Sequence, residues 1–236
     1  MQIEGSTALV TGANRGLGRR FAEELVARGA KVYAAARNPE SVDLAGVTPI
    51  ALDITDPASV AAAAAATGDV SLLINNAGSA TGAGLLDGSL DDIKLELDTH
   101  FFGTLAVTRA FAPQLAAAGA SGNGSAVLNV LSVLSWVSFP AIGAYSAAKA
   151  AEWSLTNALR QELAGQGTQV TGLHVGYMDT DMARHVTSPK TDPAVVAKLA
   201  LDGLAAGQFE VVADEVSQQV QRGLAGGVAA LYPALG

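Results

Sequence analysis

The sequence predicts an α/β protein built on a doubly wound parallel sheet of seven strands, with helices on both faces. Three observations predict it. Short β-branched and apolar runs alternate with amphipathic helical patterns along the whole chain. A glycine cluster, Gly12-Ala-Asn-Arg-Gly16-Leu-Gly18, lies directly between the first such run and the first helical pattern. Half of the 236 residues are hydrophobic and 15% are charged, which supplies a sizeable core and excludes the disordered class.

The elements follow in order. Residues 6–11 (STALVT) read as a strand, and after the glycines RRFAEELVARG reads as an amphipathic helix stopping at Gly29. KVYAAA at 31–36 is a second strand, so a parallel βαβ unit closes within about thirty residues. Residues 47–53 form a third strand. A helix follows, with Asp56 as N-cap and Pro57 at its first position. Residues 71–78 (SLLINNAG) are a strand running into a loop. Residues 89–118 read as one long helix, capped by Ser89 and ended or bent in its last turns by Pro113. The remaining strands are 125–132, 168–176 and 209–213. The remaining helices are 143–165, 193–206 and a last one over DEVSQQVQRGLAGG. No repeat or linker divides the chain, so residues 1–236 are expected to form a single domain.

Composition excludes several functions. The formal charge of −8 disfavours nucleic acid or an anionic membrane as partner. With no cysteine, disulfides and thiolate chemistry are impossible, and a reducing, cytoplasmic setting is expected. The N-terminal MQIEGSTALV has no long apolar segment of the signal-peptide type. The apolar stretch 126–145 is not read as a membrane span, because Asn129, several serines and Pro140 divide it into strand and loop. No metal-binding triad is apparent.

Chemistry concentrates at the end of an uncharged run. Between Arg109 and Lys149 stand 39 residues without a charge. A lysine at such an edge is expected to be partly buried, and burial destabilises its charge unless a partner wants it. Tyr145 lies four residues earlier, on the same helical face. The ammonium is expected to lower the tyrosine pKa towards neutrality. Ser132, at the end of the preceding strand, is expected to reach the same point. A Ser, a Tyr and a Lys around one spot suggest proton transfer to or from an oxygen. A Tyr–Lys pair at this spacing also occurs by chance, so the rest of the chain must decide.

The glycine turn decides much of it. Glycine permits positive φ and lets backbone N–H groups approach a pyrophosphate at a helix N-terminus. A dinucleotide site for NAD usually ends its second strand in a carboxylate that binds the ribose 2′-hydroxyl. Here that position reads Ala36-Arg37. A guanidinium there can bind a 2′-phosphate, and Arg15 in the turn adds a second cation. NADP(H) is therefore expected over NAD.

These motifs resemble the short-chain dehydrogenase/reductase family, in its single-domain, NADP-preferring branch with a Rossmann-type sheet. The likeness spans essentially the whole chain: TGANRGLG at 11–18, Asp53 at a strand end, NNAG at 75–78, Ser132, YSAAK at 145–149, and Gly176 followed by DTDM at 179–182. The resemblance implies an NADPH-dependent oxidoreductase of the carbonyl reductase or alcohol dehydrogenase type. Tyr145 would be the general acid/base, Lys149 would tune it and bind the nicotinamide ribose, and Ser132 would hydrogen-bond the substrate oxygen. The cofactor residues it implies are Gly12, Asn14, Arg15, Gly16, Leu17, Gly18, Arg37, Asp53, Ile54, Asn76, Ala77, Gly78, Tyr145, Lys149, Gly176 and Thr180. A non-catalytic NADP-binding sensor is the alternative. A sugar-nucleotide epimerase would need a longer chain.

Two departures from the family pattern stand out. The family's usual Asn, which holds a water in a proton relay with the Lys, is His100 here; it could replace the relay, bypass it or pack. The usual Pro before Gly176 is Val175. His174 and His185 read as structural or surface residues. The substrate is expected to be a small neutral, hydrophobic ketone, aldehyde or secondary alcohol, facing Leu134, Trp136, Phe139, Tyr177 and Met182, with 177–191 as the substrate loop. These aromatics suit a core equally. Family members are commonly homodimers or homotetramers through their long helices. Phe111, Leu115, Trp153 and Leu155 suit such an interface or a monomer core.

Overall fold

The computed structural model describes residues 1–122 and 124–235. Its strands are β1 (Thr7–Thr11), β2 (Lys31–Ala36), β3 (Val47–Ala51), β4 (Leu72–Asn75), β5 (Ser125–Val130), β6 (Thr168–His174) and β7 (Glu210–Val212). They form one parallel sheet in the order β3-β2-β1-β4-β5-β6-β7. This is a Rossmann-type doubly wound sheet. The order reverses between β1 and β4, and in such sheets ligands bind beyond the carboxyl ends of the strands at that reversal. Pro49, which cannot donate to a ladder, lies in the edge strand β3.

Alternation along the strands fills two cores. Ala8 and Val10 face Phe21, Leu25 and Leu201, on the side of α1 (Gly16–Ala27) and α6 (Pro193–Ala205). Leu9 faces Phe111, Leu115 and Leu155, on the side of α2 (Pro57–Ala66), α4 (Thr104–Ala120) and α5 (Gly143–Glu162). Each fully buried large side chain contributes about 1.5–3 kcal/mol. Phe111, Leu115 and Leu155 thus belong to the core rather than to an exposed apolar face. Trp153 is half-buried, with its indole N–H donating to Glu210 at 3.0 Å.

The helix starts follow cap chemistry. Asp56 accepts from Ala58 N and Asp192 from Ala194 N, each followed by a proline at the first helical position. The long helix expected over 89–118 differs. It is α3 (Leu90–Leu97), a π turn at Asp98–Gly103 and then α4, so the 3.6-residue register is interrupted at His100. The helix continues through Pro113 to Ala120. The last expected helix is also divided, into α7 (Glu215–Gly223), a 3₁₀ turn and α8 (Gly227–Leu231). The strands expected at 71–78, 125–132 and 168–176 stop earlier, and their last residues become the loops that carry the polar groups. Among the described residues no helix is long and apolar enough to cross a membrane.

Candidate active site

The glycine turn follows β1. Gly12 (φ 65°) and Gly16 (φ 55°) adopt the left-handed region that favours glycine. Gly18 is demanded by space, since a Cβ there would meet the Gly12 carbonyl oxygen at 2.3 Å and Asn76 Nδ2 at 2.4 Å. Arg15 enters α1 in an extended conformation with no side-chain cap, so the first-turn N–H groups stay available to an anion. Leu17 is buried, Asn14 half-buried, and Arg15 and Arg37 exposed. These residues fit a pyrophosphate with cations beside it. Asp53 accepts from Thr55 N and Oγ1 at 3.0 and 2.7 Å, and those bonds hold its carboxyl below the usual range. Ile54 is buried against Gly103.

Thr11 was not singled out in the sequence, yet it joins the first loop to the one after β4. Its hydroxyl accepts from Asn76 N and Ala77 N at 2.9 Å each. Asn76 returns its side-chain N–H to Thr11 O at 2.8 Å and to Gly12 O. Asn76 therefore locks the glycine turn. A Cβ at Gly78 would lie 2.8 Å from His100 Cε1, so only glycine lets the imidazole sit there.

After β5 the chain turns at Ser132. Its Oγ accepts from Leu134 N, while its N–H donates to Ser135 Oγ, a reciprocal cap that orients the hydroxyl. The Ser132 hydroxyl acts to lower the Tyr145 phenol, so the two lie near one another, and Tyr145 stands one turn before Lys149 on α5. Lys149 Nζ lies 5.8 Å from the Tyr145 ring centroid. Ser132, Tyr145 and Lys149 therefore converge. The loop after β6 closes over the glycine turn: the Thr180 methyl approaches Gly16, and Arg15 lies 3.7 Å from Asp181 in an exposed pair. Gly176 N donates to Asp214.

Two buried carboxylates complete the cluster, and both were missed in the sequence. Lys149 Nζ donates to Glu152 Oε2 and to Val130 O, at 2.7 Å each. Thr104 Oγ1 donates to the other oxygen of Glu152 at 3.2 Å. His100 stands between Glu152 and Glu96. Its Nε2 is 3.0 Å from Ser79 O and 3.3 Å from Glu96 Oε2; its Nδ1 is 3.8 Å from Glu152 Oε2, without a hydrogen-bond partner. The ring meets Tyr145 edge-on at 5.2 Å. Ser79 Oγ and Thr81 N donate to Glu96. The available signal was spacing: Glu96 precedes His100 by four residues and Glu152 follows Lys149 by three.

The electrostatics correct one expectation. Burial pushes the Tyr145 phenol up; Lys149 pulls it down, but Glu152 and Glu96 push it up again, and the net direction is up rather than towards neutrality. Burial acts to lower the Lys149 pKa, yet Glu152, Tyr145 and Glu96 outweigh it and raise it. Burial would raise Glu96, but the neighbouring His100 and the hydrogen bonds from Ser79 and Thr81 bring it down to about 2.

The expected substrate wall divides. Phe139, Tyr177 and Met182 are exposed. Leu134 is buried in a small cluster with Val133 and Val137, covered by Val220, Leu231 and Tyr232. Trp136 is misplaced by the sequence reading. Its ring stacks on His174 at 3.7 Å and 16° and lies edge-on to Trp153, because the loop after β5 folds back onto β6. His174 Nδ1 lies 3.2 Å from Ser132 O. His185 is exposed.

The fold and this site define a doubly wound α/β protein with a nucleotide-type glycine turn beside a Ser–Tyr–Lys cluster. Residues 6–191 match the short chain dehydrogenase family, and the chain belongs to it. It is an oxidoreductase-family protein. Oxidoreductase UcpA of Escherichia coli (strain K12) is 32% identical over 214 residues, covering 84% of this chain and 80% of that protein. Carbonyl reductase [NADPH] 2 of Sus scrofa is 32% identical over 204 residues, covering 84% and 81%. A short chain dehydrogenase from Burkholderia cenocepacia J2315, solved in complex with NADP, is 39% identical with a TM-score of 0.93, covering 100% of this chain and 99% of that one.

Proposed function

We propose that the chain is an NADPH-dependent oxidoreductase of the carbonyl reductase or alcohol dehydrogenase type, acting on a hydrophobic ketone, aldehyde or secondary alcohol. The observation that carries this reading is the convergence of Ser132, Tyr145 and Lys149. Tyr145 is the general acid/base for the substrate oxygen. Ser132, oriented by its cap, donates a hydrogen bond to that oxygen. Lys149 keeps one of its three N–H groups beyond Val130 O and Glu152, and that group serves the nicotinamide ribose. NADPH supplies the hydride when bound.

Gly12, Asn14, Gly16, Leu17 and Gly18 hold the pyrophosphate. Arg15 and Arg37 take the 2′-phosphate, and Asp53 and Ile54 border the adenine. Ala77, Gly78, Gly176 and Thr180 line the nicotinamide half, with Asn76 supporting the turn. The names of the pig reductase and the Burkholderia complex support NADP. The exposed apolar side chains Leu85, Leu86, Phe139, Tyr177 and Met182 support a neutral, hydrophobic substrate. We place the working enzyme as a homodimer or homotetramer, which sedimentation would measure.

The deciding experiment is Tyr145→Phe with a panel of ketones and keto acids, each run with NADPH and NADH. Turnover is expected to fall about 10²–10⁴-fold while NADPH binding persists. Retained turnover, or a preference for charged keto acids, would sink this reading.

A further inference from the structure

Beyond β7 the chain returns to the reacting centre, and the proposed reaction makes no use of it. This segment is tied down at both ends. At its start Asp214, the N-cap of α7, accepts from Ser217 N at 2.8 Å and from Gly176 N at the head of the loop after β6. At its end the Tyr232 hydroxyl accepts from Ser138 N at 2.8 Å. Ser138 lies in the loop that joins Ser132 to Tyr145.

Between the two ties the contact is apolar. Val220 of α7, Leu231 of α8 and Tyr232 pack on Val133, Leu134 and Val137, and Tyr145 packs on the same cluster. The two helices fold closely onto each other, since a Cβ at Gly223 would lie 3.4 Å from Leu231 Cδ2. The loop beneath has 3₁₀ turns at Val133–Ser135 and Pro140–Ile142, but Ser138 to Ala141 are exposed. Reacting groups at the two ends of such a loop need an outside fixing. Misplacement by about 1 Å can cost on the order of 10²-fold in rate.

We propose that residues 214–232 form a strap across the two loops that frame the centre. Tyr232 is a positioning residue: through Ser138 it sets the separation of Ser132 and Tyr145. Val220 and Leu231 form the apolar underside of the strap. This rests on the reading of Ser132 and Tyr145 as the pair that meets the substrate oxygen. The cofactor is held mainly from the glycine turn and the loop after β4, which Tyr232 does not anchor. Loss of the Tyr232 tie should therefore slow the chemical step and leave cofactor affinity alone.

The first measurement is amide hydrogen exchange at Ser138, by NMR on the full chain and on Tyr232→Phe. That variant keeps the ring and removes only the acceptor. Ser138 is exposed, so its N–H is then left to water, and its exchange is expected to speed up about threefold to tenfold. The second is the rate of hydride transfer to a hydrophobic ketone in a single turnover, followed by NADPH absorbance. It is expected to fall about threefold to tenfold in Tyr232→Phe, with the Kd for NADPH unchanged. Leu231→Ala, which thins the underside of the strap, is expected to change both readings in the same direction. Unchanged exchange at Ser138 in Tyr232→Phe overturns the proposal. So does faster exchange with unchanged hydride transfer, or a loss of NADPH affinity as large as the loss of rate. Full turnover in Tyr145→Phe would instead overturn the reading of the centre, while exchange at Ser138 would still report the docking of the strap.

Discussion

Two buried histidines sit at the carboxyl edge of the sheet in closely similar local settings. His100 has Nε2 on the carbonyl of Ser79, and His174 has Nδ1 on the carbonyl of Ser132. In each, the other ring nitrogen lacks a hydrogen-bond partner but faces a carboxylate: Glu152 at 3.8 Å for His100, Glu210 at 3.6 Å for His174. Their neighbours differ. His174 is flanked by Trp136 and Trp153, and its carboxylate is a quarter exposed and shared with Arg160. His100 edges Tyr145, and both carboxylates beside it are buried. An imidazole–carboxylate pair thus has no fixed meaning. Beside Trp136 it anchors a loop, and beside Lys149 it enters the electrostatics of an ionisable tyrosine.

Cutting the carboxylate from each pair tests this comparison most strongly. Glu152→Ala leaves Lys149 buried without its countercharge and should cost about 3–5 kcal/mol in denaturant unfolding. Glu210→Ala should cost about 1–3 kcal/mol, since Arg160 and Trp153 keep access to water. Equal losses would break the distinction.

Acid should weaken both clusters next, and single variants should separate their shares. Glu96, depressed from 4.5 to about 2, binds its proton more weakly folded than unfolded. Its contribution is therefore complete above about 4.5 and lost as pH falls towards 2. Glu96→Gln should flatten this part of the stability–pH curve, measured by unfolding at a series of pH values. Glu210, held down to about 2 first by the neighbouring His174 and also by the indole N–H of Trp153, should lose its contribution over the same window. His174→Ala should remove the Glu210 component and leave that of Glu96.

The smallest expected effects are the most discriminating. His174→Ala should lower stability by about 1–3 kcal/mol through the lost stack and hydrogen bond, without moving the pH profile of turnover. His100→Ala should move that profile. His100→Asn, which restores the polar side chain usual in the family, should bring it part of the way back. A profile unmoved by both His100 variants would make His100 a packing residue like His174.

Legibility differed by residue. The glycine turn and the Tyr145–Lys149 spacing were readable because each is local: a strand–glycine–helix order, and four residues along one helix. Glu96 and Glu152 were not, because charges on an amphipathic helix ordinarily mark its wet face. The π turn at His100 interrupts the register that would have shown which face they occupy. Trp136 misled for the converse reason. An aromatic in a loop after a strand suggests a ligand wall, and only the return of that loop onto β6 turns it into core.

The order of strands and helices, the glycine positions and the pairing of Tyr145 with Lys149 came from the sequence alone, since short-range periodicity and backbone sterics dictate them. The burial of Tyr145 and the set of charges around it came only from the tertiary structure. Electrostatic energy depends on distance and burial, and folding brings Glu96 from one helix and Glu152 from another around one imidazole.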